Sequence, residues 1–188
     1  MPLLTTESLE DLIEAQKGHS DDDAADSVSL LTALVDDPHG YGRIVRGDDD
    51  LFDRIVEQKD ASDAEQLLNE INLGVYCFAR KQLDGDLGRL TNDNAQKEYY
   101  ITDLAGMAAA DGRRVIPVVL DDAAEAQGVN DLAQLADVRW QVQLRILEEH
   151  MMNGVRIMDP STTFIDHGVT IGTGTEILPC TVLRGGVV

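Results

Sequence analysis

Basic residues are scarce in this chain: 15 Lys and Arg stand against 35 Asp and Glu, a net charge of −20. A field of that sign repels phosphodiester backbones and anionic headgroups, so neither nucleic acid nor a membrane surface is an expected partner. Long apolar runs are missing too. No stretch approaches the ~18 consecutive apolar residues of a membrane-spanning helix. The opening "MPLLTTESLEDL" lacks the basic and apolar regions of a secretion signal, so a cytoplasmic address is expected. Cysteine is nearly absent. Cys77 and Cys180 lie far apart and outside any metal-spaced cluster, which points to two buried structural thiols. His19, His39, His150 and His167 share no spacing, and none is expected to act as a catalytic base. The acidic run "HSDDDAADS" (19–27) lacks the ligand spacing of a calcium loop and reads as a solvated connection.

The 188 residues, 43% of them hydrophobic, suffice for one core or slightly more. Along the chain, helix and strand patterns alternate. "TTESLEDLIEAQKG" carries a hydroxyl N-cap at Thr5, acids in its first turn, Leu9, Leu12 and Ile13 on one face, and Gly18 as a stop. "VSLLTALV" (28–35) is an apolar, β-branched run of buried-strand type. "RIVRGDDDLFDRIVEQKD" predicts a hairpin around an Asp-rich turn, "SDAEQLLN" a short helix and "INLGVYCFA" a second buried strand. "QKEYYITDLAGMAAADG" predicts a helix ending at Gly112, with Tyr99 and Tyr100 packing it onto the sheet; "RVIPVVLD" follows as a strand. A long helix is expected from about Asp131 to Met152, with Gly154 behind it and Trp140, Val138, Val142, Leu144 and Leu147 forming a core or interdomain seam. Alternation of this kind defines an α/β layer with an inserted hairpin.

The last stretch has a different period. Ile165, Ile171, Ile177 and Leu183 recur every six residues, and a small residue (Val169, Thr175, Thr181, Val187) follows each four places later. Three such hexapeptides make one triangular coil of a left-handed parallel β-helix, whose coils cover one another's apolar interior. An ordinary strand pair with fortuitous glycines is the alternative.

In order, "GYGRIVR", "IVEQKDAS", "EINLGVYCF", "LTNDNAQKEYYITD", "GVNDLAQL" and the hexapeptides after "DPSTTFID" resemble the bacterial family that joins an N-acetylglucosamine-1-phosphate uridyltransferase to a glucosamine-1-phosphate acetyltransferase. The resemblance covers nearly the whole chain. It implies the C-terminal half of a Rossmann-like nucleotidyltransferase domain (1–130), a linker helix (131–154) and the first coil of a left-handed β-helix (155–188). It also implies Mg2+, the substrates UTP, N-acetylglucosamine-1-phosphate and acetyl-CoA, UDP-N-acetylglucosamine as product, and a homotrimer for the complete enzyme. Such family members carry a glycine-rich phosphate loop and a metal-holding acid before the point matching Pro2, and acetyl-CoA residues after the first coil. The chain is therefore expected to be a piece cut at both ends, without turnover of its own.

Four positions match family site residues, all on the substrate side; no catalytic residue is assigned. Gly42 resembles the position where backbone lies against the sugar nucleotide, an approach a Cβ would obstruct. Glu57 ends a strand with a carboxylate suited to sugar hydroxyls, and Asn72 offers both donor and acceptor to an acetamido sugar. Asn130 resembles a magnesium ligand through its side-chain oxygen, although Asn130 or Asp131 also stands where the long helix needs an N-cap. Leu73 replaces the family's usual threonine, and Lys97 its usual glycine. A nucleotidyltransferase for another sugar phosphate, or a non-catalytic sugar-binding or assembly module, remains open. Nothing in the sequence supplies an obvious cover for the apolar "SLLTALV" strand, so poor stability in isolation is expected.

Overall fold

The computed structural model describes residues 1–17, 27–47 and 49–186. All of the acidic run 19–27 except Ser27 lies outside them, as do Val187 and Gly18. The chain divides into two compact units: Leu4–Ala126, and Gln127–Val188 together with Met1–Leu3.

The first unit is built on a five-stranded sheet. Its strands are β1 (Ser27–Leu34), β2 (Arg43–Arg46), β3 (Phe52–Val56), β4 (Glu70–Phe78) and β5 (Arg114–Val119), in the order β3-β2-β4-β1-β5. β1 and β5 run parallel, and the other pairs are antiparallel. Helices α1 (Thr6–Lys17) and α3 (Asp103–Ala110) cover the sheet, and α2 (Arg80–Asp86) follows β4. The expected α/β layer and hairpin are therefore present.

Strand β1 is buried over seven of its eight residues because its two faces serve two cores. Leu31 and Ala33 join Leu12, Ile71, Leu120 and Ala126 on one side, while Leu30 joins Ile44, Phe52, Ile55 and Ala105 on the other. The alternation of a strand, two residues per repeat, produces this division. The apolar strand that lacked an obvious cover thus has one on each face.

Helix α1 departs from its sequence reading. Leu9 and Ile13 are exposed, and the face turned inward is Ser8, Leu12 and Gln16. Both side chains find partners: Ser8 Oγ donates to Glu125 Oε2 at 2.8 Å, and Gln16 Nε2 to the Ser27 carbonyl at 2.7 Å. Thr5 does cap the helix, its Oγ1 accepting from the Ser8 amide at 3.2 Å, and the Thr5 amide donates to Glu125 Oε2 at 2.7 Å. A carboxylate placed at a helix N-terminus also meets the positive end of its dipole.

The helix expected over 96–112 begins only at Asp103. Before it, Lys97 lies in the left-handed region at φ +58°, and Tyr99 is exposed rather than packed on the sheet. Such a backbone favours glycine, since a side chain there is crowded.

In the second unit, α4 (Leu132–Met152) is capped by Asp131, whose side chain accepts from the Gln134 amide at 2.8 Å. Val138 and Leu147 are its buried residues; Trp140 and Leu144 each retain 37% exposure, so the expected apolar seam is narrower than the sequence suggests. Four two-residue strands follow: β6 (Arg156–Ile157), β7 (Phe164–Ile165), β8 (Glu176–Ile177) and β9 (Val182–Leu183). β6 pairs with β8 and β7 with β9, both parallel, and Ile165 faces Leu183 eighteen residues on. Ile157, Ile165, Val169 and Ile177 form one core with Leu147 and Val155. The corners keep the same period: Gly168, Gly174, Cys180 and Gly186 all have positive φ, between +62° and +88°. Cys180 is exposed at one of them, which corrects the expectation of a buried thiol; Cys77 is half-buried, and both are free.

Replacing either strained side chain by glycine should stabilise the fold. Cys180→Gly and Lys97→Gly are each expected to raise unfolding free energy by up to about 1 kcal/mol, after glycine's own entropy is set against the relieved crowding. Cys180→Val should lower it. Urea-unfolding midpoints check this, and a glycine variant that melts more easily would contradict the reading.

Candidate functional site

Three of the four expected site residues meet in the first unit. β2 pairs with β4 at Arg43–Ile71, and beside it the Asn72 amide donates to the Gly42 carbonyl at 2.8 Å. Glu57 follows β3, which pairs with β2, and so stands next to Gly42: a Cβ on Gly42 would lie 3.3 Å from Glu57 Oε1 and 3.1 Å from Ile55 Cγ2. Gly42 is buried and its φ is unremarkable, so what demands glycine here is the close approach of Ile55 and Glu57.

The turn leading into Gly42 is held from beneath by Arg43. This side chain is 1% exposed; it donates to the Tyr41 carbonyl through Nη1 and to Gln58 Oε1 through Nη2, the latter at 2.7 Å. Gln58 Oε1 also accepts from the Gly40 amide at 3.1 Å, so one carboxamide ties the turn at 40–42 to the strand end at 57–58. Burial pushes the Arg43 guanidinium below its usual range, against the pull of Asp37, and Nε has no partner among the described residues.

The Glu57 carboxyl is raised above the usual carboxylate range. Burial is the main cause; the nearby Thr102 hydroxyl opposes it, and the like charges of Asp103 and Asp60 add to it. Thr102 Oγ1 is close enough to act on the carboxylate yet is itself buried without a hydrogen bond of good geometry. A half-buried carboxylate and an unmet hydroxyl side by side suit a ligand rich in hydroxyls.

Asn72 is buried, and its Oδ1 accepts from the Gly74 amide at 3.2 Å and the Tyr76 hydroxyl at 3.0 Å. The expectation that it offers both donor and acceptor is corrected by these bonds, which occupy the acceptor end. Tyr76 and Thr102 were not singled out in the sequence. Tyr76 was within reach of strand alternation, since residues 72, 74 and 76 share a face; Thr102 arrives through packing before α3, which has no local signal. Leu73 packs with Val75 and Cys77 against the α1-side core, on the face opposite Asn72.

Asn130 belongs to the other unit. It is exposed, and its amide donates to Gln134 Oε1 at 2.7 Å. Capping falls to Asp131, leaving the Asn130 carboxamide outside the cap. Among the described residues no group of three or more His, Cys, Asp or Glu could hold a metal. An exposed amide oxygen fits an ion such as magnesium only as one ligand among waters and substrate phosphates.

The chain matches the family model described as nucleotidyl transferase over residues 5–141 and belongs to that family. Among curated relatives, the Bifunctional protein GlmU of Geobacter sulfurreducens is 44% identical over 186 residues, covering 99% of this chain and 38% of the relative. The protein of that name from Trichlorobacter lovleyi is 46% identical over 184 residues, covering 98% and 39%. The one from Mycobacterium marinum is 45% identical over 184 residues, covering 98% and 36%. The chain therefore spans less than two-fifths of the length of these relatives.

The raised Glu57 carboxyl generates a pH test. Its folded-state value lies above its unfolded one, so the protonated form is favoured by folding; that stability is full below the unfolded value and is lost as pH rises through the folded one. Glu57→Gln removes the ionisation. The variant should be more stable than wild type near neutral pH, and the difference should shrink as pH falls towards about 4. Unfolding midpoints across that range measure it; a difference that grows in acid would contradict the assignment.

Proposed function

We propose that this chain forms the sugar-binding part of an N-acetylglucosamine-1-phosphate uridyltransferase, which makes UDP-N-acetylglucosamine and pyrophosphate from UTP and N-acetylglucosamine-1-phosphate. The observation that carries the reading is the convergence of Gly42, Glu57 and Asn72 through the Asn72–Gly42 hydrogen bond at 2.8 Å and the close packing of Glu57 on Gly42. A carboxylate for hydroxyls and a carboxamide for an acetamido group, held in fixed relation by the Gly42 backbone between them, are functions an N-acetylhexosamine needs. Family membership and the relatives' shared name support the same reaction class.

The remaining features follow in the same proposal. Residues 1–130 are part of the nucleotidyltransferase domain, 131–154 the linker helix, and 155–188 the first coil of a left-handed β-helix. The eighteen-residue offset between Ile165 and Leu183 supports that coil, being three hexapeptides. The whole protein is then a cytoplasmic homotrimer that also acetylates glucosamine-1-phosphate from acetyl-CoA. Asn130 would supply one oxygen to magnesium, an ion that in phosphoryl transfer neutralises charge on the phosphates. Gly42, Glu57, Asn72 and Asn130 bring no positive charge to the triphosphate, so binding without turnover is expected of the chain alone.

Isothermal titration with UDP-N-acetylglucosamine tests the reading. Wild type should bind, and Gly42→Ala, which forces the Glu57 carboxylate aside, should bind about tenfold or more weakly, the scale of a lost hydrogen bond to a charged group. Crowding Ile55 and Glu57 should also lower its stability by about 1–3 kcal/mol without unfolding it. Absence of binding by wild type, or equal binding by the variant, would overturn the assignment of this pocket.

A further inference from the structure

We infer that Tyr76 sets the donor–acceptor sense of the sugar pocket: with the Gly74 amide, it locks the Asn72 carboxamide so that this side chain meets the ligand only as a hydrogen-bond donor. The inference rests on the N-acetylhexosamine reading and names a positioning residue for it.

The lock follows from the donor inventory. A backbone N–H can only donate, and that of Gly74 points at one end of the carboxamide from 3.2 Å, so that end must be the oxygen. The Tyr76 hydroxyl is a second donor to the same atom at 3.0 Å. An amide oxygen has two lone pairs, and both are occupied. Turning the carboxamide over would set Nδ2 against the Gly74 N–H, donor against donor, and would oblige the phenol to accept instead. The phenol ring is anchored against the Leu30–Ile44–Phe52 core and lies 5.5 Å from the Phe78 ring, so the hydroxyl is held in place by packing.

What remains for a ligand is Nδ2. It makes no hydrogen bond to any described residue and is not fully sealed from solvent, which leaves it free to donate to a ligand. The Asn72 backbone N–H is already committed to the Gly42 carbonyl. A donor in this position selects an acceptor. An acetamido carbonyl at C2 of the sugar satisfies it fully; a hydroxyl there can also accept, but with one oxygen that has its own proton to place. Tyr76 never touches the sugar in this arrangement and acts through Asn72.

The test compares UDP-N-acetylglucosamine with UDP-glucose, which differ in the C2 substituent, by titration calorimetry on the full chain. Wild type should prefer the acetamido ligand. In Tyr76→Phe one of the two constraints on the carboxamide is gone, and the preference should fall by about three- to tenfold, the range expected for one hydrogen bond. In Asn72→Asp the Gly74 and Tyr76 donors keep an acceptor while the outward donor is removed; that variant should remain folded and lose the preference altogether. If Tyr76→Phe does not fold, Asn72→Asp decides. Weakening of both ligands by the same factor in both variants would show a merely structural role and overturn the inference. A wild type that binds both ligands equally would overturn it alone, whereas a wild type that binds neither would overturn the sugar-site reading and this inference with it.

Discussion

The Gly42, Glu57 and Asn72 cluster depends on a single crossing point. β2 and β4 are paired only at Arg43 and Ile71, with the Asn72 amide bonded to the Gly42 carbonyl beside them. Through that contact the β2–β3 hairpin, with Glu57 at its far end, is laid against the strand that carries Asn72. Beyond it, from Leu73 onward, no strand is paired to that edge of β4 among the described residues. Beside the crossing, a buried cation ties the turn before Gly42 to the strand end at Glu57. Among the described residues Arg43 has no carboxylate in hydrogen-bond contact; it is held by the Tyr41 carbonyl and Gln58, with Nε unpaired. Desolvating a guanidinium on these terms is unfavourable for stability. The expense falls where the chain must hold Gly42 and Glu57 in fixed relation, as expected where a site rather than a core dictates the arrangement.

Much of the first unit was legible because strand alternation is a local property. The buried run of β1, the existence of β4, the hairpin around its Asp-rich turn and the caps at Thr5 and Asp131 follow from side-chain type and spacing alone, whereas β4, expected to be buried, is so only at residues 70–72. The misreadings have a common cause. Leu9 and Ile13 looked like the inward face of α1, but Glu125 and Ser27 offered hydrogen-bond partners to Ser8 and Gln16, and tertiary contacts outweighed the apolar pattern. Residues 97–102 read as helical because Glu98, Tyr99 and Tyr100 do not forbid a helix. The positive φ of Lys97 rules it out, and that angle has no signature in a lysine.

The site was partly legible. Gly42, Glu57 and Asn72 were recognisable from motif context, and the structure brings them together; Asn130 lies in the other unit. Tyr76 could have been found by counting along the strand from Asn72. Thr102 could not, since it approaches Glu57 only after α3 has packed onto the sheet. The hexapeptide period, by contrast, was written in the sequence twice: once in the aliphatic column at 165, 171, 177 and 183, and once in the corners at 168, 174, 180 and 186. Cys180 hid the second column by standing where its neighbours in the repeat have glycine.

The central claim is that Gly42, Glu57 and Asn72 form one ligand site. Amide-resolved NMR during titration with UDP-N-acetylglucosamine tests it most directly. The account predicts that the largest shifts cluster at the Gly42, Asn72 and Gly74 amides and on the Asn72 side-chain NH2. Shifts centred instead on the apolar groove of the second unit, lined by Leu135, Trp140, Phe164 and Val182, with the sheet unmoved, would contradict it.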